Sequence, residues 1–405
     1  MNIPYSLPLI DQDVINEVND ALTNTGWLTS GPKVKLLEEE LKAVTGAPAA
    51  ICVNSWVSGA MLMLRWYGVG AGDEVIIPAY TYAATALAVM NIGATAVMVD
   101  VQDDFTIDIN AIAARITERT KAVIPVDLAG WPCDYSAIME LVNRRDIKDK
   151  FKAATDRQKK LGRVLVLADA AHSIGATYEG RSAAVAADIA IFSFHSVKNI
   201  TTGEGGGICL NLPSIFSTAE EYQFLKYFSL NGQTKSAFEK NKIGGWRYDI
   251  VDQGMKVNMP DICAAIGLAQ IRKYSHVLLP EREVLFNYYN ELLSKFEWAI
   301  LPPGVSDERK SSFHLYLLRI KDIDEQRRDR IIQHISEKGI GVNVHYIPMP
   351  MLTLFKQRGY KIEDYPNTYK MYENEISLPL YNGLKKEQLE AVVEAISEGY
   401  KLSKN

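Results

Sequence analysis

The sequence predicts an α/β chain, with a mainly parallel seven-stranded sheet flanked by helices and a smaller C-terminal α+β domain. Three observations carry this. Seven short runs, at 50–53, 74–78, 95–100, 122–126, 164–169, 189–194 and 206–210, are nearly unbroken in apolar residues, as strands buried on both faces are. Helix-like stretches at 59–67 and 83–91 lie between them, and strands alternating with helices imply a parallel sheet. Near residue 250 the pattern changes. Pro260 opens a long helical segment, 261–274, which continues past Pro280 into 281–296. Short strands at 314–320 and 341–345 then alternate with helices. In the last helix Leu389, Val392, Val393, Ile396 and Tyr400 share one face. The chain therefore divides into 1–250, a large α/β domain with an N-terminal arm, and 251–405, connecting helices and a small α+β domain.

Composition narrows the function. The 405 residues are 47% hydrophobic, enough for a large core, and the net charge of -5 disfavours a nucleic-acid or anionic-membrane partner. No apolar run approaches the roughly 20 residues that span a bilayer. The N-terminal stretch is acidic where a signal peptide needs a basic start, which points to the cytoplasm. Cys52, Cys133, Cys209 and Cys263 are scattered, with no C-x-x-C pair, and read as small buried hydrophobes. The six histidines show no metal-ligand spacing, so no metal is expected. The charge-dense segment 143–163 reads as a solvated helical extension.

Chemistry concentrates on neighbouring sheet elements. The apolar run 164–168 ends in Asp169, followed by Ala170, Ala171 and His172, and an acid at the carboxyl end of a parallel strand faces the ligand crevice. The run 189–194 leads through Ser193 to Lys198, then to Gly203, Gly205, Gly206 and Gly207. A lysine in a tight turn between buried strands loses hydration, and its pKa falls. The neutral amine can then form a Schiff base with an aldehyde. Ser55, Trp56, Val57 and Ser58 open a helix directly after a strand, and a helix N-terminus suits a phosphate. Ser58 and Ser193 can add hydroxyls. Phosphate cradle, strand-end acid and buried lysine together meet the demands of pyridoxal 5'-phosphate. The glycines at 68, 70 and 72 follow a helix and precede a strand, the reverse of a dinucleotide fingerprint, and form a turn.

The motif Ser193-Phe194-His195-x-x-Lys198-Asn199-x-Thr201-Thr202-Gly203-Glu204-Gly205-Gly206 resembles the lysine motif of the DegT/DnrJ/EryC1/StrS sugar aminotransferases, which have the fold of type I pyridoxal-phosphate enzymes. The likeness spans almost the whole chain. Gly26-Trp27-Leu28-Thr29-Ser30-Gly31-Pro32, Gly72-Asp73-Glu74-Val75-Ile76-Ile77-Pro78, Tyr80-Thr81-Tyr82, His314-Leu315-Tyr316, Gly341-Val342-Asn343-Val344-His345-Tyr346 and Ser377-Leu378-Pro379-Leu380-Tyr381 all match in order.

The resemblance implies a transaminase moving an amino group from an amino acid, glutamate by family habit, to a nucleotide-linked keto-deoxysugar. It implies that Lys198 is the catalytic residue, that Tyr82 stacks on the cofactor ring, that Asp169 meets the ring nitrogen and that His172 meets the ring hydroxyl. Ser193, Val57 and Ser58 hold the phosphate, and a homodimer partner adds Lys256 or Asn258. His314, His345 and Tyr346 are candidates for substrate contact. Trp56 replaces the glycine of the usual Ser-Gly-Thr, and Asp127 and Trp131 replace a histidine and a smaller polar residue, which marks all three as candidate determinants of an unusual substrate. Competing readings are a family member acting on an inosose or aminobenzoate precursor, and a non-catalytic member that binds the cofactor or a sugar.

Overall fold

The computed structural model describes residues 2–241 and 243–404. Each sequence run predicted as a strand in the first half pairs into one sheet: β1 (Ala49–Val53), β2 (Glu74–Pro78), β3 (Thr95–Val99), β4 (Thr120–Val123), β5 (Leu165–Asp169), β6 (Ile189–Ser193) and β7 (Gly206–Leu210). Their order is β1-β7-β6-β5-β4-β2-β3. Neighbours from β6 to β3 run parallel, and β7 pairs antiparallel with both β1 and β6.

The apolar runs are continuous because both faces are covered. Side chains alternate between the faces with period two. Ala50, Cys52, Val166, Ala168, Ala190 and Phe192 point into one core, while Ile51, Val53, Leu165, Leu167, Ile189 and Ile191 point into the other. The first core is closed by α1 (Pro32–Thr45), through Val34, Leu37 and Leu41, and by a later helix. The second is closed by α2 (Trp56–Tyr67) and α3 (Ala84–Asn91), through Ala60, Met63, Leu64, Ala86 and Val89. α2 stops where predicted: Gly68, at φ 86°, is its left-handed cap.

The helix closing the first core is α4 (Asp261–Lys273), which contributes Ala264, Leu268 and Ile271, and α5 (Leu279–Leu293) follows it. Beyond lies a small antiparallel sheet of β8 (Ala299–Ile300), β9 (Tyr316–Ile320) and β10 (Glu375–Leu378), in that order. α6 (Glu325–Glu337) and the terminal α7 (Lys386–Leu402) pack on it. The predicted stripe of Leu389, Val392, Val393 and Ile396 is buried there.

Three expectations change. The 314–320 strand starts only at Tyr316, because the amides of His314 and Leu315 donate to the Ala129 carbonyl at 3.1 and 3.3 Å instead of to the sheet. The 341–345 strand is absent. One residue pair, Asn343 with Ser377, bridges to β10, and the chain then turns away toward Pro348 and Pro350, which have no N–H to offer a ladder. The 143–163 segment is only partly solvated. It forms two short helices, Arg145–Lys148 and Asp156–Leu161, and ends in the buried Arg163, whose guanidinium makes a two-pronged ion pair with Asp188 at 2.7 and 2.8 Å. Cys52, Cys133 and Cys209 are buried, as expected, and Cys263 is partly so.

Candidate active site

A cavity of about 600 Å³ opens at the carboxyl ends of β4, β5 and β6. This is where an open parallel sheet binds ligands, since the loops diverge there. Asp169, the last residue of β5, reaches its floor. Thr85, in the first turn of α3, donates to one carboxylate oxygen at 2.9 Å, and the Ala171 amide donates to the other at 3.2 Å. Burial pushes the Asp169 pKa up to about 7, against the pull of these donors and of Lys198.

Lys198 lies in the loop joining β6 to β7. The loop is closed at its base by Phe194 N–H to Gly205 carbonyl and Thr202 N–H to Phe194 carbonyl, both 2.9 Å, and anchored by Gln270, which accepts the Thr201 amide at 2.9 Å. Burial lowers the Lys198 pKa to about 8, while the Asp169 charge pulls it back up. Gly206 is needed here. A Cβ would stand 2.8 Å from the Ser55 carbonyl carbon and 2.9 Å from the Phe192 oxygen, so only glycine lets β7 pass the start of α2.

The α2 N-terminus forms a third wall. Ser55 is its N-cap, accepting from the Ser58 amide at 3.1 Å, and Ser55, Trp56 and Val57 line the cavity. The first amides of a helix have no acceptor within it and point outward with the positive end of the dipole. Ser193 lines the cavity from the end of β6. Ser58 does not; its hydroxyl accepts from that of Ser55 at 3.0 Å.

Two imidazoles form one side. The Ala129 amide donates to His172 Nδ1 at 3.2 Å, which puts the ring proton on Nε2, 3.3 Å from the Tyr346 hydroxyl. The His314 ring lies 4.4 Å from that of His172. Its Nδ1 donates to Asn199 Oδ1 at 2.7 Å. The Asn199 amide is fixed in this orientation because its nitrogen donates to Tyr274 Oη and to the Ser312 carbonyl. Burial holds both imidazoles well below the ordinary pKa, hence neutral. Tyr82, 62% exposed, stands at the mouth with its ring 5.6 Å from that of Tyr346. Asn343, His345 and Tyr5 complete the far wall.

Most of the predicted residues therefore converge: Lys198, Asp169, His172, Ser193, Val57, Tyr82, His314, His345 and Tyr346 share one cavity. Lys256 and Asn258 do not. They line a separate cavity of about 160 Å³ with Ser30, where Lys256 Nζ donates to Asn258 Oδ1 at 2.6 Å and Asn258 donates to Ser30 Oγ at 2.6 Å. Of the three flagged departures, Trp56 lines the cavity and the other two do not. Asp127 is buried behind His172, accepting from Ser173, Tyr135 and the Cys133 amide, and Trp131 donates to Asp104 beneath Arg309. Both are framework residues. The sequence reading missed Thr85, Asn199, Asn343 and Tyr5. Thr85 left a signal, as a polar residue in the first turn of a helix that is then apolar up to Asn91.

The donor set fits pyridoxal phosphate. An amine of lowered pKa, a buried carboxyl with acceptor capacity to spare and a capped helix start with free amides face one space. Among the described residues no cluster of His, Cys, Asp or Glu could hold a metal ion, and no helix is long and apolar enough to cross a membrane.

Comparison with known proteins agrees with this geometry. A model of the DegT/DnrJ/EryC1/StrS aminotransferase family matches residues 8–397. The spore coat polysaccharide biosynthesis protein SpsC of Bacillus subtilis (strain 168) is 34% identical over 401 residues, 98% of this chain and 96% of that protein. Spr1654 of Streptococcus pneumoniae, described as a sugar aminotransferase, superposes in its PMP form with a TM-score of 0.94 at 39% identity, covering 99% of this chain and 100% of that one. Its PLP form gives 0.94 at 38%, with both chains covered in full. PseC of Helicobacter pylori, an aminotransferase involved in pseudoaminic acid biosynthesis, gives 0.85 at 26%, covering 99% and 100%.

Proposed function

We propose, for this chain, which belongs to the DegT/DnrJ/EryC1/StrS aminotransferase family and is a pyridoxal-phosphate-dependent transaminase, that it moves an amino group from glutamate to the keto group of a nucleotide-linked keto-deoxysugar for polysaccharide or glycoconjugate biosynthesis. The observation that carries this is the make-up of the cavity. An amine and a carboxyl on its floor meet the cofactor's needs, while uncharged imidazole, phenol and amide groups on its far wall suit a hydroxylated ring. The descriptions of Spr1654 as a sugar aminotransferase and SpsC as a polysaccharide biosynthesis protein support the sugar acceptor.

When bound, pyridoxal phosphate supplies an electron sink for the bond-breaking at the donor carbon. Lys198 holds it through Nζ. When not bonded to the cofactor, the same amine is neutral above about pH 8 and would take a proton at Nζ and return it. Asp169 would present its carboxylate to the ring nitrogen, and a protonated nitrogen there would favour the ionised form against the burial that raises its pKa to about 7. Thr85 and the Ala171 amide keep that carboxylate aimed. The start of α2 at Val57, with Ser193, would hold the phosphate, while Ser58, turned to Ser55, would only brace that helix start. His172 would offer its Nε2 proton to the ring hydroxyl, and Tyr82 would stack on the ring face. His314, His345 and Tyr346 receive the substrate.

Homodimerisation is part of this reading. Among the described residues, the charged ones lining the cavity are Asp169, Glu204 and Lys198, with no arginine, yet both glutamate and a nucleotide diphosphate are anionic. A second copy's Lys256 and Asn258 would bring the missing positive charge and phosphate donors.

Absorbance tests the proposal. Purified protein should show the band of bound pyridoxal phosphate, glutamate should bleach it to the pyridoxamine form, and one of a panel of nucleotide-linked ketosugars should restore it. Protein that never binds the cofactor sinks the enzyme reading. Protein that glutamate bleaches but no ketosugar restores sinks only the acceptor.

A further inference from the structure

A buried carboxylate lies behind the far wall with no role in the chemistry above. Glu375, on β10, is fully buried and, among the described residues, makes no ion pair. One of its oxygens accepts the His345 backbone N–H at 3.0 Å, and the other accepts the Ser377 hydroxyl proton at 2.6 Å. Ser377 Oγ is in turn 2.8 Å from His345 Nδ1. The serine has one proton and gives it to the carboxylate, so toward the imidazole it can only accept. Nδ1 must then carry the ring proton, and Nε2 is left bare on a residue that lines the cavity. The Tyr5 hydroxyl touches the same Nδ1 at 3.3 Å, the longer of its two contacts, and the Tyr5 ring stacks on the imidazole at 5.4 Å.

We propose that Glu375 is a positioning residue for the acceptor half of the reaction: as a carboxylate, acting through Ser377, it holds the His345 proton on Nδ1, so that Nε2 accepts a hydrogen bond from a substrate hydroxyl and repels a carboxylate oxygen. This rests on the keto-sugar reading given above. It makes His345 a determinant of specificity, because a hydroxyl can donate to a bare nitrogen and a carboxylate cannot.

Substitution by glutamine tests the direction of the chain. In Glu375→Gln the His345 N–H still needs an acceptor, so the amide oxygen must take that place and the NH₂ must face Ser377. Ser377 then accepts from Gln and donates to Nδ1, and the ring proton moves to Nε2. Protonating Glu375 has the same effect, and burial pushes its pKa up to about 8. The other ionisable groups facing the relay are the phenols of Tyr5, Tyr80 and Tyr346, all raised by burial, the cations Arg328 and Arg282, the neutral His172 and His314, and Lys198. Lys198 serves every acceptor alike, so a ratio of two acceptors cancels it.

The experiment measures kcat/KM of the pyridoxamine-loaded enzyme for a UDP-4-keto-6-deoxyhexose and for 2-oxoglutarate across pH, together with the ¹⁵N shifts of His345, assigned with His345→Gln. In the wild type the sugar-to-oxoglutarate ratio should rise with pH through the Glu375 titration, and at high pH the proton should be on Nδ1. In Glu375→Gln the ratio should be flat with pH and lower by about tenfold, the worth of one reversed hydrogen bond, with the proton on Nε2. A wild-type ring protonated on Nε2 at high pH overturns the proposal even if the variant does not fold. So does a tautomer that switches without moving the ratio, or an equal loss for both acceptors. If the sugar never reacts in the wild type while the shifts behave as stated, it is the keto-sugar reading that fails, and the specificity claim goes with it.

Discussion

The floor and the far wall of the cavity are built on different plans. Each functional group of the floor hangs on one framework: Asp169 ends β5, Ser193 ends β6, Lys198 caps the β6–β7 turn, and Ser55 starts the helix after β1. The groups are charged or dipolar, and neighbouring strands hold them. The far wall gathers Tyr5, His314, Asn343, His345 and Tyr346 from three distant stretches of chain, outside any strand, and all are neutral hydrogen-bonding groups. The rigid floor fits one invariant cofactor. A wall of loops can change residue by residue with the acceptor, because such positions carry few backbone obligations to the core.

Mutation can break this contrast or sharpen it. The largest loss should come from the floor: Lys198→Ala should lower kcat by about 10⁴-fold, the upper range for removing a general acid–base group, and abolish the cofactor band. Asp169→Asn, which keeps the volume but not the charge, should cost on the order of 10²-fold in kcat in stopped-flow assays of the glutamate half-reaction. Comparable losses from the wall in that half-reaction would erase the distinction. His314→Ala should raise KM for the sugar by about tenfold, as lost binding that leaves the cofactor spectrum intact. Thr85→Val should do least, about threefold in kcat, since it removes one neutral donor to Asp169. Titration sharpens the picture further. Capture of pyridoxal phosphate by the apoprotein needs the neutral amine, so its rate should rise about tenfold per pH unit at low pH and level off above about pH 8, the folded-state pKa of Lys198.

The same contrast explains what the sequence disclosed. The seven strands were legible because burial on both faces confines polar residues to their ends; Asp169 was legible because it closes such a run, and Lys198 because it lies in the turn between two of them. Wall residues have no such background. Tyr5 is near the N-terminus and Glu375 is in a strand more than 300 residues away, and no local pattern announces that both touch His345. Asp127 shows the opposite failure. Standing where the resembled family commonly has a histidine, it read as a substrate marker, but three donors hold it within the framework. A departure from a family pattern does not reveal which way the new side chain turns.

The hairpin that carries Lys198 has one further consequence. Its base is tied by paired backbone bonds at Phe194 and its stem is two buried strands, so an amine released from a covalent bond cannot drift from the cavity. Tethering of this kind gives a group an effective molarity far above any attainable in solution, up to about 10⁵ M or more in well-oriented cases. An amine supplied from solvent therefore competes poorly for the same place. Methylamine, even near molar concentration, should restore only a small fraction of the activity lost in Lys198→Ala, and that shortfall measures how much of the catalysis lies in the hairpin that delivers the nitrogen.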